Sequence, residues 1–272
     1  MTERPGSMDS SVLPDSLDVP PEHALLVVDM KNYSHLPEAK MAPIRVDLDD
    51  IILNTVFPQS GLDDPRSREG AYRDTGDGAI CVVPARDTAR LVDPLLGHLN
   101  AALSRYDQTR LRGGYAIWVR VSVHVGPLSL PDHRGDAVNE ACRLVDSQAV
   151  RQAMTAATKH GAYVAAVLSG PVFDRTVHAG RTPHLQQTHF LAAVARVEGK
   201  SFEQPCQLHV PGMAAETLQG YVTQLPSDAD TVAADLPPAP AGSGTTMQFL
   251  GSMTDTNVIG SVGTYYHNSP GR

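Results

Sequence analysis

Residues 24–34 of the chain read ALLVVDMKNYS, in which the unbroken apolar run Ala24–Val28 is followed directly by the acid Asp29. A continuous apolar run of this length is typical of a strand that is buried on both faces of a sheet. Strand-like and helix-like segments then follow it in the order helix, hairpin, helix, strand, helix, strand. This order predicts an α+β sandwich in which helices pack against one mixed β-sheet.

The remaining strands are expected where valine-rich or alternating apolar runs occur. A hairpin is expected around the turn TGDG at Thr75–Gly78, because an Asp-Gly turn there separates two strand-like runs. The expected strand segments are Gly70–Asp74, Ala79–Val83, Tyr115–Val125, Tyr163–Leu168, Phe190–Val197 and Gln207–Val210.

Three helices are expected between these strands. Asp47–Val56 is a short helix that Pro58 should end. A long helix should begin at Asp87-Thr88, which can cap it, because leucines then recur at every fourth position. The third helix is expected over Gly135–Thr158. The recurring leucines are Leu91, Leu95, Leu99 and Leu103.

Composition limits the classes of protein that the chain can belong to. It has 272 residues, of which 42% are hydrophobic and 19% charged, so it is globular. A formal net charge of -8 disfavours a nucleic-acid or anionic-membrane partner. The apolar runs are too short for a membrane span, and the N-terminus lacks a basic-then-apolar signal, which predicts a cytoplasmic protein. Three distant cysteines, Cys81, Cys142 and Cys206, form neither a disulfide framework nor a metal knuckle.

The two ends of the chain differ in composition from its middle. Residues 1–22 are rich in Ser, Pro and Asp, which predicts a disordered leader. The folded domain is expected over 23–225, followed by a Pro/Ala/Gly linker over 226–246. Residues 247–272 form a short β-prone tail, which either is a disordered end or adds a strand to a partner or a second copy.

Two acids lie at places where strands end. Asp29 closes the first strand, and Asp77 lies in the tip of the predicted hairpin between two glycines. Carboxylates on adjacent strand ends can hold one or two hard divalent cations, which also bind substrate phosphates. The glycines beside Asp77 would let a phosphate approach the backbone closely.

A third segment, GDAVNEACRL at 135–144, places an amide and a guanidinium on one helix face. Asn139 and Arg143 are separated by four residues, so both side chains project from the same side of the helix. This pair suits the holding of a sugar oxygen and of a phosphate whose charge changes in the transition state.

Together these segments resemble the class III nucleotidyl cyclase catalytic domain, the family of adenylate and guanylate cyclases. The resemblance runs from about His23 to Gly212 and includes the strand RVSVHVGP at 120–127. It implies a ferredoxin-like sandwich, and a head-to-tail homodimer in which the aspartates of one subunit face the Asn and Arg of the other. It also implies cyclisation of a nucleoside triphosphate to a 3′,5′-cyclic nucleotide with release of pyrophosphate.

The resemblance assigns roles by position. Asp29 and Asp77 match the two aspartates that bind two divalent ions, Mg²⁺ or Mn²⁺. Asn139 and Arg143 match the residues that orient the ribose and stabilise the transition-state phosphate. Lys200 resembles the lysine that binds the terminal phosphates. No dedicated protein base is required, and His124, within a strand, is interpreted as structural.

Two positions read the base in this family, and here they are Arg73 and Asp132. The Glu expected for guanine is absent, which disfavours GTP. Asp132 agrees with the adenylate pattern. Arg73 departs from it, because that pattern has a Lys at this position, and the guanidinium of Arg is a rigid, planar group of hydrogen-bond donors. Uracil carbonyls are pure acceptors and suit such donors. UTP is therefore favoured over ATP, with cyclic UMP as the product.

Small bacterial cyclases of antiphage systems, which make cyclic UMP or cyclic CMP, share this resemblance and imply a product-sensing effector protein as partner. Three other functions stay open. They are an adenylate cyclase, a cyclase-like domain without catalysis that senses nucleotides, and a ferredoxin-like RNA-binding module. The RNA-binding module would need exposed aromatic residues on one face of the sheet. Tyr115 and Trp118 are three residues apart on one expected strand and so face opposite sides, which argues against this function.

Overall fold

The computed structural model describes residues 18–111, 114–133 and 135–222. Most of the expected leader, the whole linker and the β-prone tail lie outside these residues, so the expected domain boundaries stay predictions. The strands are β1 (Glu22–Met30), β2 (Tyr72–Asp74), β3 (Gly78–Pro84), β4 (Val119–Pro127), β5 (Val164–Ser169), β6 (Leu191–Arg196) and β7 (Glu203–His209). The helices are α1 (Glu38–Asp49), α2 (Phe57–Gln59), α3 (Thr88–Val92), α4 (Leu95–Thr109), α5 (Asp136–Asp146), α6 (Gln148–Lys159), α7 (Gly170–Phe173) and α8 (Ala215–Gln219).

All seven strands of the described chain form one sheet in the order β2-β3-β1-β4-β5-β7-β6. Neighbouring strands run antiparallel, except that β4 and β5 are parallel. The two helices α5 and α6 make the crossover that a parallel pair requires. The expectation of an α+β fold with one mixed sheet is therefore confirmed.

The first strand, β1, is buried on both faces, as its apolar run predicts. Leu26 and Val28 pack in a core that includes residues of α1 and α4, whereas Leu25 and Val27 pack against α5 on the opposite face. Alternate side chains of a strand point to opposite faces, so two helical layers sandwich this part of the sheet. Among the described residues, no helix combines the length and the apolar character that a membrane crossing needs.

The helix expected from Asp87 is two helices, so the expectation of one long helix is wrong. α3 ends at Val92, and α4 begins at Leu95 directly after Pro94. Proline has no N–H to donate and its ring clashes with the preceding turn, which explains the break. The leucine spacing continues across the break because both helices bury the same side. Asp87 makes no capping bond and pairs with Arg90 at 2.8 Å instead.

The other two helices also differ from the expectation. The segment expected over 135–158 divides at Ser147, whose extended backbone ends α5 and whose hydroxyl accepts from the Val150 N–H at 3.5 Å to cap α6. The helix expected from Asp47 begins earlier, at Glu38, and passes Pro58 to end at Gln59. Wide π-helical turns over Asp50–Val56 precede Pro58 and accommodate the residue that lacks an N–H.

Candidate active site

The structure places Asp29 and Asp77 at the same end of neighbouring strands. Asp29 lies opposite Gly78 in the β1–β3 register, and Asp77 comes directly before Gly78. The Met30 N–H donates to the Asp77 carbonyl at 2.9 Å, which joins the two segments just beyond the register. The two candidate metal ligands are thus brought together by the pairing of strands about 50 residues apart in the chain.

Gly78 is needed because β1 and β3 approach each other so closely. A Cβ atom at this position would lie 1.8 Å from the Val28 carbonyl oxygen, which no side chain tolerates. The hairpin turn itself is closed by the Thr75 N–H, which donates to the Gly78 carbonyl at 3.1 Å. The Gly76 N–H donates to the Asp74 carboxylate at 2.7 Å, and Gly76 has a φ of +92°. The TGDG sequence therefore forms the expected hairpin tip.

Arg120 of β4 lies opposite Asp29 in the β1–β4 register and pairs with it. The Nε and Nη2 atoms of Arg120 both donate to Oδ2 of Asp29, the former at 2.8 Å. Burial raises the pKa of Asp29, Arg120 opposes that effect, and the charges of Asp77 and Asp146 add to the rise. The sequence does not reveal this ion pair, because Arg120 of the segment RVSVHVGP meets Asp29 only through the strand register.

The donor set at this end of the sheet fits a divalent cation. Oδ1 of Asp29 and both carboxylate oxygens of Asp77 accept no hydrogen bond from the described residues. No group of three or more His, Cys, Asp or Glu in the described ranges is arranged to hold a metal ion. Two carboxylates completed by substrate phosphates and water are the usual set for Mg²⁺, which rarely occupies an all-protein cage.

The helix α5 carries Asn139 and Arg143 on one face, as their spacing predicts. Asn139 is exposed and Arg143 is half-buried, with its guanidinium carbon 5.6 Å from the ring centre of Phe202. The opposite, apolar side of α5 packs on the sheet face that carries Leu25 and Val27. The residues of that side are Ala137, Val138, Ala141 and Val145.

Arg73 and Asp132, the candidate base-reading residues, both belong to segments that meet at the foot of the hairpin. Arg73 is exposed on β2 opposite Ile80, whose side chain packs under α5, so Arg73 lies on the α5 face of the sheet. Asp132 lies in a loop that packs on Gly70, where an added Cβ would come 2.4 Å from Pro131. In the same loop His133 hydrogen-bonds through Nε2 to the Gly70 carbonyl.

Lys200 lies in the turn between β6 and β7, at the opposite edge of the sheet from Arg73. It lines a cleft of about 1160 Å³ together with Asp146 and Phe202. Burial raises the pKa of the Cys142 thiol on α5, the Asp146 charge adds to the rise, and the charges of Arg73 and Lys200 oppose it.

His124, interpreted as structural, is buried in β4 with Nε2 3.3 Å from the Glu140 carboxylate. Burial lowers the pKa of His124, whereas Glu140 opposes that effect. Its position beneath α5 and away from the strand end gives it no access to the two aspartates in one chain. Three further residues belong to the candidate site although nothing in the sequence pointed to them. They are Arg120, Phe202 and Arg45, a buried arginine of α1.

Several solved structures are similar to the chain. An adenylate/guanylate cyclase/hydrolase from Silicibacter pomeroyi is 20% identical, over 71% of this chain and 98% of that chain, with a TM-score of 0.47. A guanylate cyclase domain from Catenaria anguillulae in complex with GTP is 14% identical over 71% and 98%, with a TM-score of 0.43. A bacterial light-regulated adenylyl cyclase is 13% identical over 74% and 56%, with a TM-score of 0.46.

No protein-family model matches the chain, and no curated protein matches it. The solved structures are too distant, in identity and in TM-score, to carry a function to this chain. The case for a function therefore rests on the residues of the site and on where the fold places them.

Proposed function

We propose that the protein is a metal-dependent nucleotidyl cyclase, a lyase that converts a nucleoside triphosphate into a 3′,5′-cyclic nucleotide and pyrophosphate. The observation that supports this most is the placement of Asp29 and Asp77 at one end of the sheet. The chain that supplies them also carries Asn139 and Arg143 on one helix face, in the order of the class III motif.

The chemistry is an intramolecular displacement. The ribose 3′ oxygen attacks the α-phosphorus, the bond to pyrophosphate breaks, and the proton of the 3′ hydroxyl passes to solvent. When bound to Asp29 and Asp77, a divalent cation lowers the pKa of that hydroxyl and offsets phosphate charge. Asn139 orients the ribose, and Arg143 stabilises the charge that develops on the α-phosphate.

Lys200 contributes a further positive charge for the terminal phosphates. Its place beside Asp146 and Phe202, in the cleft next to α5, supports this role, because the ring of Phe202 also contacts Arg143. Arg120 holds the carboxylate of Asp29 in a fixed orientation, so that its free oxygen is available for the cation. These groups orient and bind, and none of them is needed as a base.

The functional unit is a head-to-tail homodimer with shared sites. Asn139 is exposed, and the side of α5 that packs on the strands of the same chain is the opposite, apolar one, so that the face with Asn139 and Arg143 points away from those strands. A second copy that presents its strand ends to that face would complete each site, and a symmetric dimer would contain two of them.

UTP is the favoured substrate and cyclic UMP the product. Arg73 is exposed on the α5 face, at the foot of the hairpin against which the Asp132 loop packs. An arginine offers only donors, which match the two carbonyl acceptors of uracil. ATP is the second candidate, because Asp132 agrees with the adenylate pattern. The resemblance further suggests a second messenger for an antiphage effector.

The test is a product profile after incubation with ATP, GTP, CTP and UTP, each with Mn²⁺ or Mg²⁺ and resolved by chromatography. Cyclic UMP should dominate, and Asp77→Asn protein should form none. A dominant cyclic AMP peak would contradict the assignment of UTP alone. Tight binding of a nucleotide with no cyclic product from any of the four would instead identify a sensor that has lost catalysis.

A further inference from the structure

Arg45 is a buried arginine of α1 that lies beneath the β2–β3 hairpin, the hairpin whose tip carries Asp77. Its exposed fraction is only 6%. An arginine in the interior is costly unless its charge is paired and its donors are bonded. The partners of Arg45 therefore indicate why the fold keeps it there.

Those partners all belong to the hairpin or to the next turn of α1. Nη2 donates to the Gly78 carbonyl at 2.7 Å and to the Tyr72 hydroxyl at 3.1 Å. Nη1 lies 2.5 Å from the Asp49 carboxylate, and Nη2 lies 3.5 Å from that of Asp74. The Tyr72 hydroxyl donates in turn to Asp49 at 2.9 Å, which closes a ring of contacts around the guanidinium.

The backbone on the C-terminal side of Asp77 is consequently held from three directions. The Met30 N–H of β1 donates to the Asp77 carbonyl, and the Thr75 N–H of the turn donates to the Gly78 carbonyl. Arg45 adds a second donor to Gly78 from the helical layer. The first hydrogen bond joins the hairpin to β1, the second closes the turn of the hairpin, and the third fixes the hairpin tip relative to α1.

We infer that Arg45 is a positioning residue that holds the hairpin so that the Asp77 carboxylate faces Asp29 in metal-binding geometry. This inference rests on the proposed function, because it assigns Asp77 to a metal. Residues that orient a ligand from outside the coordination shell change metal affinity or activity by about 10- to 100-fold when they are removed. The charge of Arg45 itself is directed at Asp49 and Asp74, so it acts on Asp77 through the backbone.

The chain offers a matched control on the same strand. Arg68 donates through Nη2 to the Val82 carbonyl of β3 at 2.9 Å, four residues beyond Gly78. Removing it also deletes a bond from an arginine to a β3 carbonyl, but at a distance from the hairpin tip. Arg68→Met therefore reports the effect of a lost carbonyl anchor that is not next to Asp77.

The experiment uses the full chain as Arg45→Met, Arg68→Met and wild type. Amide hydrogen exchange of the hairpin, measured without metal, should accelerate at Thr75 and Met30 in Arg45→Met alone. Mn²⁺ affinity, measured by electron paramagnetic resonance of the free ion, should weaken by about 10- to 100-fold in the same variant. Arg45→Lys, which keeps one charge but loses the fork, should lie between Arg45→Met and wild type.

Equal Mn²⁺ affinity in Arg45→Met and wild type, or equal losses in Arg45→Met and Arg68→Met, would overturn the inference. Should Arg45→Met fail to fold, Tyr72→Phe decides the matter. It removes the hydroxyl that Arg45 and Asp49 share while keeping the ring, and unchanged affinity in that variant would again overturn the inference. A wild-type protein that binds no Mn²⁺ would instead contradict the proposed function. The hydrogen-exchange data would in that case show only whether Arg45 stabilises the hairpin.

Discussion

Two regions of the candidate site are built in opposite ways. The acid end, Asp29 and Asp77, is held by strand register, by the partly buried Arg120 and by the buried Arg45. The helix face, Asn139 and Arg143, has an exposed amide and a guanidinium that packs over the ring of Phe202. One region is fixed before any ligand arrives, whereas the other stays open in the isolated chain. A rigid acid end and an open helix face together suit a site that a second copy of the chain completes.

The largest expected effect comes from removing the charge of the acid end. Asp29→Asn and Asp77→Asn keep the shape of each side chain but lose the ligand charge, so we expect cyclic-nucleotide formation to fall by at least about 100-fold. Turnover is measured by product chromatography, with circular dichroism as the check on folding. Turnover like that of the wild type in either variant would show that Asp29 and Asp77 do not bind a catalytic cation. The proposed difference in role between the acid end and the helix face would then be wrong.

The next experiment tests whether the two regions of one site come from different chains. Asp77→Ala lacks an acid end and Arg143→Ala lacks a helix face, so each homodimer should be inactive. Equal mixing makes about half of the dimers mixed, each with one intact site of two, so we expect about a quarter of wild-type activity. If mixed dimers form, as native mass spectrometry would show, and remain inactive, then the shared-site arrangement is wrong.

Arg73→Ala tests the base-reading part of the site. Loss of donors to the uracil carbonyls leaves buried acceptors unpaired, at about 1–3 kcal/mol, so kcat/KM for UTP should fall by roughly ten- to a hundred-fold. Arg73→Lys should shift the relative preference towards ATP. The metal dependence of both variants should match the wild type. An equal loss for every nucleotide would identify Arg73 as a structural residue.

The acid end should also respond to pH. Only the ionised carboxylate binds a cation, and burial raises the pKa of Asp29, so proton competition begins at a higher pH than for an ordinary aspartate. Below that pKa, Mn²⁺ affinity should fall by about tenfold for each pH unit. Arg120→Gln removes the group that opposes the rise, so its midpoint should move to higher pH. A midpoint that stays at the wild-type value in Arg120→Gln would contradict this account.

The smallest effect concerns the contact of the helix face. Phe202→Leu removes the ring beside Arg143 but retains an apolar side chain, and a cation–π contact of a guanidinium that is still partly in solvent contributes about 0.5–1 kcal/mol. We expect kcat/KM to fall by about 2- to 5-fold, with the metal affinity unchanged. Phe173→Leu is the control, since it removes an aromatic contact with Phe190 far from α5. Equal effects of the two substitutions would show that general packing, rather than the orientation of Arg143, is responsible.

Local signals in the sequence predicted the parts of the molecule that depend on local physics. The apolar run of β1, the TGDG turn and the spacing of Asn139 and Arg143 all occupy the expected elements. The start of α1 was missed, because residues 38–46 contain Pro43 and have little amphipathic pattern. The break at Pro94 was missed because the leucine spacing continues across it.

The missing site residues are those whose partners are distant in sequence. Arg120 meets Asp29 only through the β1–β4 register, and Arg45 meets Gly78 only through the packing of α1 under the hairpin. Neither contact has a period or a spacing that a single sequence can display. The roles of Asp132 and Lys200 stay predictions, and the structure adds their neighbours, which are the hairpin foot and the cleft beside α5.

The central place of β1 has a consequence for synthesis of the chain. β1 pairs with β3 and β4, and β4 ends at Pro127, roughly a hundred residues after β1 itself. At a synthesis rate of about 5–20 residues per second, the segment Leu25–Val28 waits about 5–20 s before its second partner strand exists. Both edges of this apolar strand are unpaired until β3 is made, and one edge stays exposed to other chains until β4 is made. A chaperone at the ribosome would therefore protect the strand that ends in Asp29 while its partner strands are still being made.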